Sequence, residues 1–172
     1  MPVGGSGEEA IQAVINGQAD LAVGITPDWN YANNVDFSMP YFMHGDRLLV
    51  PKNSNISGFL DLRGQRWIAI PNSDPQARDR ALAWAQSVNV GVEFYYTNET
   101  DLGYAILVEN NANVAYGDSI VLLQNLITYP DELAFTQRWY SQTFNAFALP
   151  RNDIDFRLLV DYTLQELARD GT

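Results

Sequence analysis

The chain has 172 residues, 47% of them hydrophobic and 18% charged, with 21 acids against 10 bases and a formal charge of −11. This is the composition of a folded globular protein, and its acidity argues against nucleic acid or an anionic membrane surface as a partner, since phosphate binding needs a basic face. The lack of cysteine excludes disulfides, thiolate catalysis and Cys-ligated metals, and no apolar run approaches the roughly 18–20 residues of a membrane span.

The first predicted element is a helix. Ser6-Gly7-Glu8-Glu9 has capping-box spacing, with the Ser6 hydroxyl facing the Glu9 amide and the Glu9 carboxylate reaching back. Ala10, Ile11, Val14 and Ile15 fall on one helical face, and Gly17 stops the helix. Leu21-Ala22-Val23, followed by Gly24, reads as a short buried parallel strand ending at a loop. Trp67 to Ile70 is the next predicted strand. Ser73, Asp74 and Pro75 then open a helix to about Val88, with Ala77, Ala81, Leu82 and Ala85 inward and Pro75 in the first turn, where its missing N–H costs nothing. Val92 to Tyr96 reads as a strand, Leu102 to Val108 as a helix, and Val114 to Tyr116 as a strand ending at Gly117-Asp118, with Ser119 starting a short helix. Leu133 to Trp139 and Phe144 to Leu149 read as strands. A last helix begins near Asp153 and carries Phe156, Leu159, Val160, Leu164 and Leu167.

Catalytic constellations fail by elimination. Gly117-Asp118-Ser119-Ile120 has the look of an esterase block, but the one histidine, His44, lies far upstream rather than downstream. Gly4-Gly5-Ser6-Gly7 lacks the lysine and preceding strand of a phosphate loop. His44 has no partner at metal-ligand spacing and reads as structural, so no metal, cofactor or enzymatic activity is expected.

Binding readings have more support, because α/β folds take ligands in the loops after the carboxyl ends of their strands. Three loops qualify: Gly24-Ile25-Thr26, Pro71-Asn72-Ser73-Asp74, and Gly117-Asp118-Ser119. Gly24 allows close backbone approach, Thr26 offers a hydroxyl, Ser73 is expected at a helix N-terminus suited to an anionic group, and Asp118 can pair with an ammonium. Ser73, Asp74 and Ser119 read equally as helix caps. Strand–helix alternation implies a mostly parallel sheet. By itself it leaves open whether the chain is one doubly wound domain or two lobes.

Three motifs carry a resemblance: Gly17-Gln18-Ala19-Asp20-Leu21-Ala22-Val23-Gly24-Ile25-Thr26, then Asp36-Phe37-Ser38-Met39-Pro40-Tyr41, then Leu60-Asp61-Leu62-Arg63-Gly64 before the strand Arg66 to Ile70. In this order and spacing the chain resembles the extracytoplasmic solute-binding proteins of ABC importers, in the family that carries polar amino acids. The resemblance implies an α/β, two-lobed periplasmic-binding-protein-like fold of type II, with a mostly parallel sheet in each lobe. Lobe 1 would be discontinuous and incomplete, formed by 1–50 and 145–172, and lobe 2 would be continuous over 51–144. Arg47–Val50 and Phe144–Ala148 would be the crossing strands.

The resemblance further implies a small polar solute, an amino acid or amine, bound between the lobes, an ABC permease as partner, and a periplasmic or extracytoplasmic location, tethered or free. By position it places ligand contacts at Gly24, Thr26, Asn72 and Ser73, with Asp118 on an α-amino group. Tyr31 stands where the family has an arginine that clamps the α-carboxylate, and a neutral phenol cannot replace that group. A cationic or zwitterionic amine is therefore expected. The family's strand and helix upstream of Met1 and its helix beyond Thr172 have no counterpart here, so the expectation is a trimmed or naturally short chain that self-associates through an unpaired sheet edge. Residues 1–7 have neither the basic start nor the apolar middle of a secretory signal. Two readings on the same fold remain beside transport: the sensing domain of a signalling receptor, and a dehydratase of the prephenate or arogenate type.

Overall fold

A computed structural model describes residues 7–64 and 67–171. The chain divides into two compact units. One takes the two ends of the chain, up to Met43 and from Thr143, and the other runs from His44 to Gln142.

The first unit opens with α1 (Gly7–Ile15), which buries Ile11, Ala13 and Val14. Gly17 at φ +68° ends it: the Gln18 amide donates to Ala13 O and the Gly17 amide to Val14 O, the paired bonds of a left-handed helix stop. The Ser6 half of the predicted capping box lies outside the described residues. β1 (Ala22–Ile25), β2 (Val35–Phe37) and β3 (Phe42–His44) all pair with the long β9 (Thr143–Pro150), giving the order β1-β9-β2 with β3 also on β9.

Both β1 and β2 run antiparallel to β9, with Ala22 opposite Ala148 and Phe37 also opposite Ala148 from the other side. The expected buried parallel strand at 21–23 is thus an antiparallel strand. Its ends, Ala22 and Ile25, are buried while Val23 is 62% exposed. The register slips between Ala22 and Ile25, where Gly24 sits at φ +75°, so the strict two-residue alternation is lost there. A small core of Ile11, Val14, Ala22, Ile25, Val35 and Ala148 closes this side. α5 (Ile154–Asp170) starts at Asp153, whose carboxylate accepts from the Phe156 amide, and stops at Gly171 in the left-handed region.

The second unit is a five-stranded sheet in the order β6-β5-β7-β4-β8, formed by β4 (Asp46–Pro51), β5 (Trp67–Pro71), β6 (Glu93–Thr97), β7 (Val114–Asp118) and β8 (Leu133–Phe135). β5 is parallel to β6 and β7, whereas β4 is antiparallel to β7 and β8. This sheet is therefore mixed, and in the first unit β1 and β2 are antiparallel to β9, where mostly parallel sheets were expected. Hydrophobic alternation reports which face a side chain takes but not the direction of its strand's neighbours. β4 crosses the expected lobe boundary at residue 50 and lies wholly in this second sheet.

Alternation is clean here. Leu48, Ile68, Ile70 and Tyr116 face one core layer, and Leu49, Ala69 and Ala115 the other. Full burial of a side chain of this size contributes about 1.5–3 kcal/mol. α2 (Ala77–Ser87) lies on the first layer through Ala77, Ala81 and Ala85, small residues spaced four apart that let it sit close. α3 (Leu102–Leu107) and α4 (Ser119–Thr128) cover the second layer.

Candidate functional site

In the first unit, three of the six residues proposed from sequence line one hollow of about 390 Å³: Gly24 and Thr26 from the end of β1, and Tyr31 from the short helical turn Trp29–Tyr31. Glu8 at the start of α1 and Asp28 complete its polar rim, and Ile11 and Ile25 form its apolar floor. Asp28 is placed by its own capping role, accepting from the Asn30 amide at 2.9 Å and from the Asn30 side chain at 3.3 Å. The Glu8 carboxylate acts on the Tyr31 hydroxyl. Partial burial and the Glu8 and Asp28 carboxylates raise its pKa, so the phenol stays protonated. None of the residues lining this hollow is basic. The Gly24 amide is already committed to the Tyr41 hydroxyl at 3.0 Å, so Gly24 contributes its lack of a side chain rather than a free donor.

The other three residues lie in the second unit, at the carboxyl ends of two adjacent parallel strands, β5 and β7. Asn72 and Ser73 follow β5 and are exposed, with the Asn72 amide donating to Thr97 O at 2.8 Å. Ser73 is not at a helix N-terminus: α2 begins at Ala77, and Pro75 lies in the turn before it. Asp74 does the capping, since its Oδ1 accepts from the Ala77 amide at 3.2 Å. The amides of Ala77, Arg78, Asp79 and Arg80 all find backbone acceptors within 74–76. The anion-receptive end expected at Ser73 is thereby used up internally.

Asp118 closes β7 and caps α4, accepting from the Ile120 amide at 2.9 Å through Oδ1. Its Oδ2 lies 2.6 Å from His44 Nδ1, which donates to it. Both oxygens of the carboxylate expected to hold an ammonium thus have a partner within the chain. The Gly45 carbonyl accepts from the Ser119 amide at 2.8 Å and fastens the His44 side to the start of α4. The sequence reads His44 as structural and does not link it to Asp118. Their separation of 74 residues leaves no local signal, and only the pairing of Asp46 with Asp118 across β4 and β7 brings them together.

Behind this edge lies a second charged group that sequence reading missed. Asp46, 3% exposed, takes two bonds from Arg80 at 2.7 and 2.9 Å and one from the Tyr116 hydroxyl at 3.1 Å, and Asp74 takes the other side of the same guanidinium. These carboxylates push the Arg80 pKa further up. Burial, with Asp46 adding to it, pushes Tyr116 up. Among the described residues no three His, Asp or Glu side chains gather as a metal site.

Solved structures share the fold. It is similar to a polar amino acid ABC uptake transporter substrate-binding protein from Streptococcus thermophilus (18% identity, TM-score 0.78), over 96% of this chain and 64% of that one. It is similar to the L-cystine solute receptor of Neisseria gonorrhoeae in its unliganded open conformation (15%, 0.75), over 99% and 70%. A reconstructed ancestral cationic amino acid solute-binding protein also shares it (21%, 0.71), over 98% and 72%. No curated protein matches the sequence. The sequence itself matches a defined family over residues 3–172, and the chain belongs to the bacterial extracellular solute-binding proteins, family 3.

Proposed function

We propose that this chain is the solute-binding component of an ABC importer, that it performs no chemistry, and that its solute is a small cationic or zwitterionic amine. The observation that carries the ligand class is the sign of the charge around the hollow in the first unit. Glu8 and Asp28 flank a protonated Tyr31, Thr26 adds a hydroxyl, and no lining residue is basic. An amino acid's carboxylate would meet two carboxylates there without a guanidinium to neutralise them, whereas an ammonium finds acceptors of the opposite charge.

The apolar floor of Ile11 and Ile25 suits the methylene stem of such an amine. Asp118, with Asn72 and Ser73 at the carboxyl end of the adjacent strand, is the further carboxylate proposed to receive an ammonium, at the expense of its bond from His44. The partner is an ABC permease in the membrane and the location extracytoplasmic, in keeping with the family. No described helix is long and apolar enough to cross a membrane.

Calorimetry of the chain with L-lysine, cadaverine, glycine and L-glutamate tests the reading. Cadaverine should bind, L-lysine should bind more weakly, glycine and glutamate should not, and Glu8→Gln or Asp28→Asn should weaken cadaverine. Glutamate binding more tightly than either amine would overturn it. Prephenate turnover by the unmodified chain would overturn the non-enzymatic part alone.

A further inference from the structure

A second hollow, of about 330 Å³, lies in the second unit away from Asn72, Ser73 and Asp118. It is bounded by the helical turn Phe59–Leu62, the outer side of α2 and the segment 138–140. Phe59, Leu60, Trp84, Val88 and Tyr140 make it mainly apolar. The aromatic rings brace one another edge to face, with centroids 5.0 Å apart for Phe59 and Tyr140 and 5.3 Å for Trp84 and Tyr140. This volume falls at the lower end of the range of small-molecule sites, about 300–1,000 Å³.

Two polar groups stand out against that wall. The exposed Arg138 guanidinium lies over Trp84 and Tyr140, 5.2 and 5.4 Å from their centroids, and forms no ion pair among the described residues. In a chain of net charge −11, an arginine held on rings rather than on a carboxylate is notable. Asp61 also lines the hollow but is held by its own turn, its Oδ2 accepting from the Ser57 amide and hydroxyl and from the Gly58 amide. Tyr140 is 7% exposed, and its hydroxyl oxygen makes no complete hydrogen bond. The Phe59 amide approaches that oxygen, but the hydroxyl's own proton has no acceptor. Such an orphan donor is unusual in a protein interior. Gly58 packs beside it, and a Cβ there would come within 3.2 Å of the Tyr140 oxygen.

We propose that this hollow binds a small monocarboxylate with an aromatic or branched aliphatic body. The body fills the space between Leu60, Val88 and the rings, and the carboxylate accepts from Arg138 and, once a small shift of the Gly58 turn uncovers it, from the Tyr140 hydroxyl. Both polar groups are donors, and a carboxylate is the acceptor-only group that can take the two together. The face of the guanidinium is used by the rings, which leaves its edge N–H groups for the ligand.

The test uses phenylacetate on the whole chain, followed by ligand-observed NMR, with phenylacetamide and 2-phenylethylamine as probes of the same body with a neutral or cationic head. Phenylacetate should bind saturably, with phenylacetamide at least tenfold weaker and phenylethylamine weaker still. Arg138→Gln should weaken phenylacetate at least tenfold and Asp118→Asn should leave it unchanged. Tyr140→Phe keeps the ring packing and should weaken binding severalfold. It decides the matter if Arg138→Gln does not fold. No saturable binding, equal binding of the amine, or an affinity unmoved by the folded variants would overturn the proposal.

Discussion

The Tyr41 hydroxyl accepts the Gly24 amide at 3.0 Å while its ring stacks on Phe147 at 4.6 Å, so one side chain of the Asp36–Tyr41 motif holds the end of β1 against β9. The rest of the motif is spent the same way. Asp36 accepts from Arg151 at 2.8 Å and from the Asn152 amide at 3.0 Å. Ser38 exchanges bonds with Phe147 through its amide and its hydroxyl. The residues of this motif are therefore clamps on β9, and Gly24 and Thr26 hang from the strand that they hold.

Tyr41→Phe should cost little, about 0.5 kcal/mol, because the bond is exposed and water can replace the hydroxyl. Tyr41→Ala should cost a further 0.5–1.5 kcal/mol, roughly, by losing the stack on Phe147. Urea unfolding of both variants checks the order. Equal losses would mean that the ring contributes nothing.

Gly45 is the position least tolerant of a side chain. At φ +153° a Cβ would lie 2.3 Å from the Ser141 carbonyl oxygen, which is backbone and cannot swing aside. Gly45→Ala should cost about 1–3 kcal/mol in overpacking on top of backbone strain of similar size. Gly17→Ala is the control: φ is +68° but nothing lies within 4 Å of the added carbon, so only about 1 kcal/mol is expected. Thermal unfolding that ranks Gly17→Ala as the worse variant would contradict this.

The Asp46–Arg80–Asp74 group should be costly to break and should shape the alkaline limb of stability. Removing one partner of a buried pair typically costs about 3–5 kcal/mol, so Asp46→Ala should be strongly destabilising, with the half-exposed Arg80 lowering the figure. For Tyr116 the folded pKa is raised, so the folded state holds its proton longer than the unfolded state does. Its contribution is fully present below the ordinary tyrosine value of about 10 and is lost as pH rises above it. Tyr116→Phe should flatten the fall of stability above about pH 10, and a fall as steep as in the unmodified chain would assign it to other groups.

The sequence carried the local devices well and the long-range ones poorly. Gly17 as a helix stop needs only its own turn, and the alternating faces of β5 and β7 need only their own strands. The antiparallel partnership of β1 with β9 joins residues more than 120 apart, and the Gly24 bulge within it interrupts the two-residue period by which a strand is read. Ser73 was misplaced for a subtler reason. Ser-Asp-Pro is a good helix opening, but here Pro75 and Gln76 form a turn first and the cap passes to Asp74, which is also drawn to Arg80. The three candidate residues of the first unit share one hollow; Gly24 and Thr26 were read as one loop, Tyr31 came only from its place in the family's pattern, and the Glu8 contribution depends on how α1 packs on β1.

Asp118→Asn should remove most amine affinity on the proposed reading, since a lost charge-assisted bond costs about 1.5–3 kcal/mol, or about ten- to a hundredfold. The same change leaves an acceptor oxygen for the Ile120 amide, so α4 should remain capped and stability nearly unchanged. His44→Gln offers a complementary readout: by removing the imidazole that shares Asp118 Oδ2, it should strengthen cadaverine binding rather than weaken it. Calorimetry showing no change for either variant would take Asp118 out of the site.

Tyr31→Arg tests the first unit most sharply. A guanidinium in this place would meet Glu8 and Asp28 before it met any ligand, because both carboxylates already act on the phenol. The single substitution should therefore abolish cadaverine binding, by putting a cation into the hollow, without conferring binding of glycine. Adding Glu8→Gln and Asp28→Asn frees the arginine for a bidentate hold on an α-carboxylate, and only this triple variant should bind simple amino acids. Glycine binding by the single variant, with cadaverine binding retained, would show that Glu8 and Asp28 do not set the charge preference of this hollow.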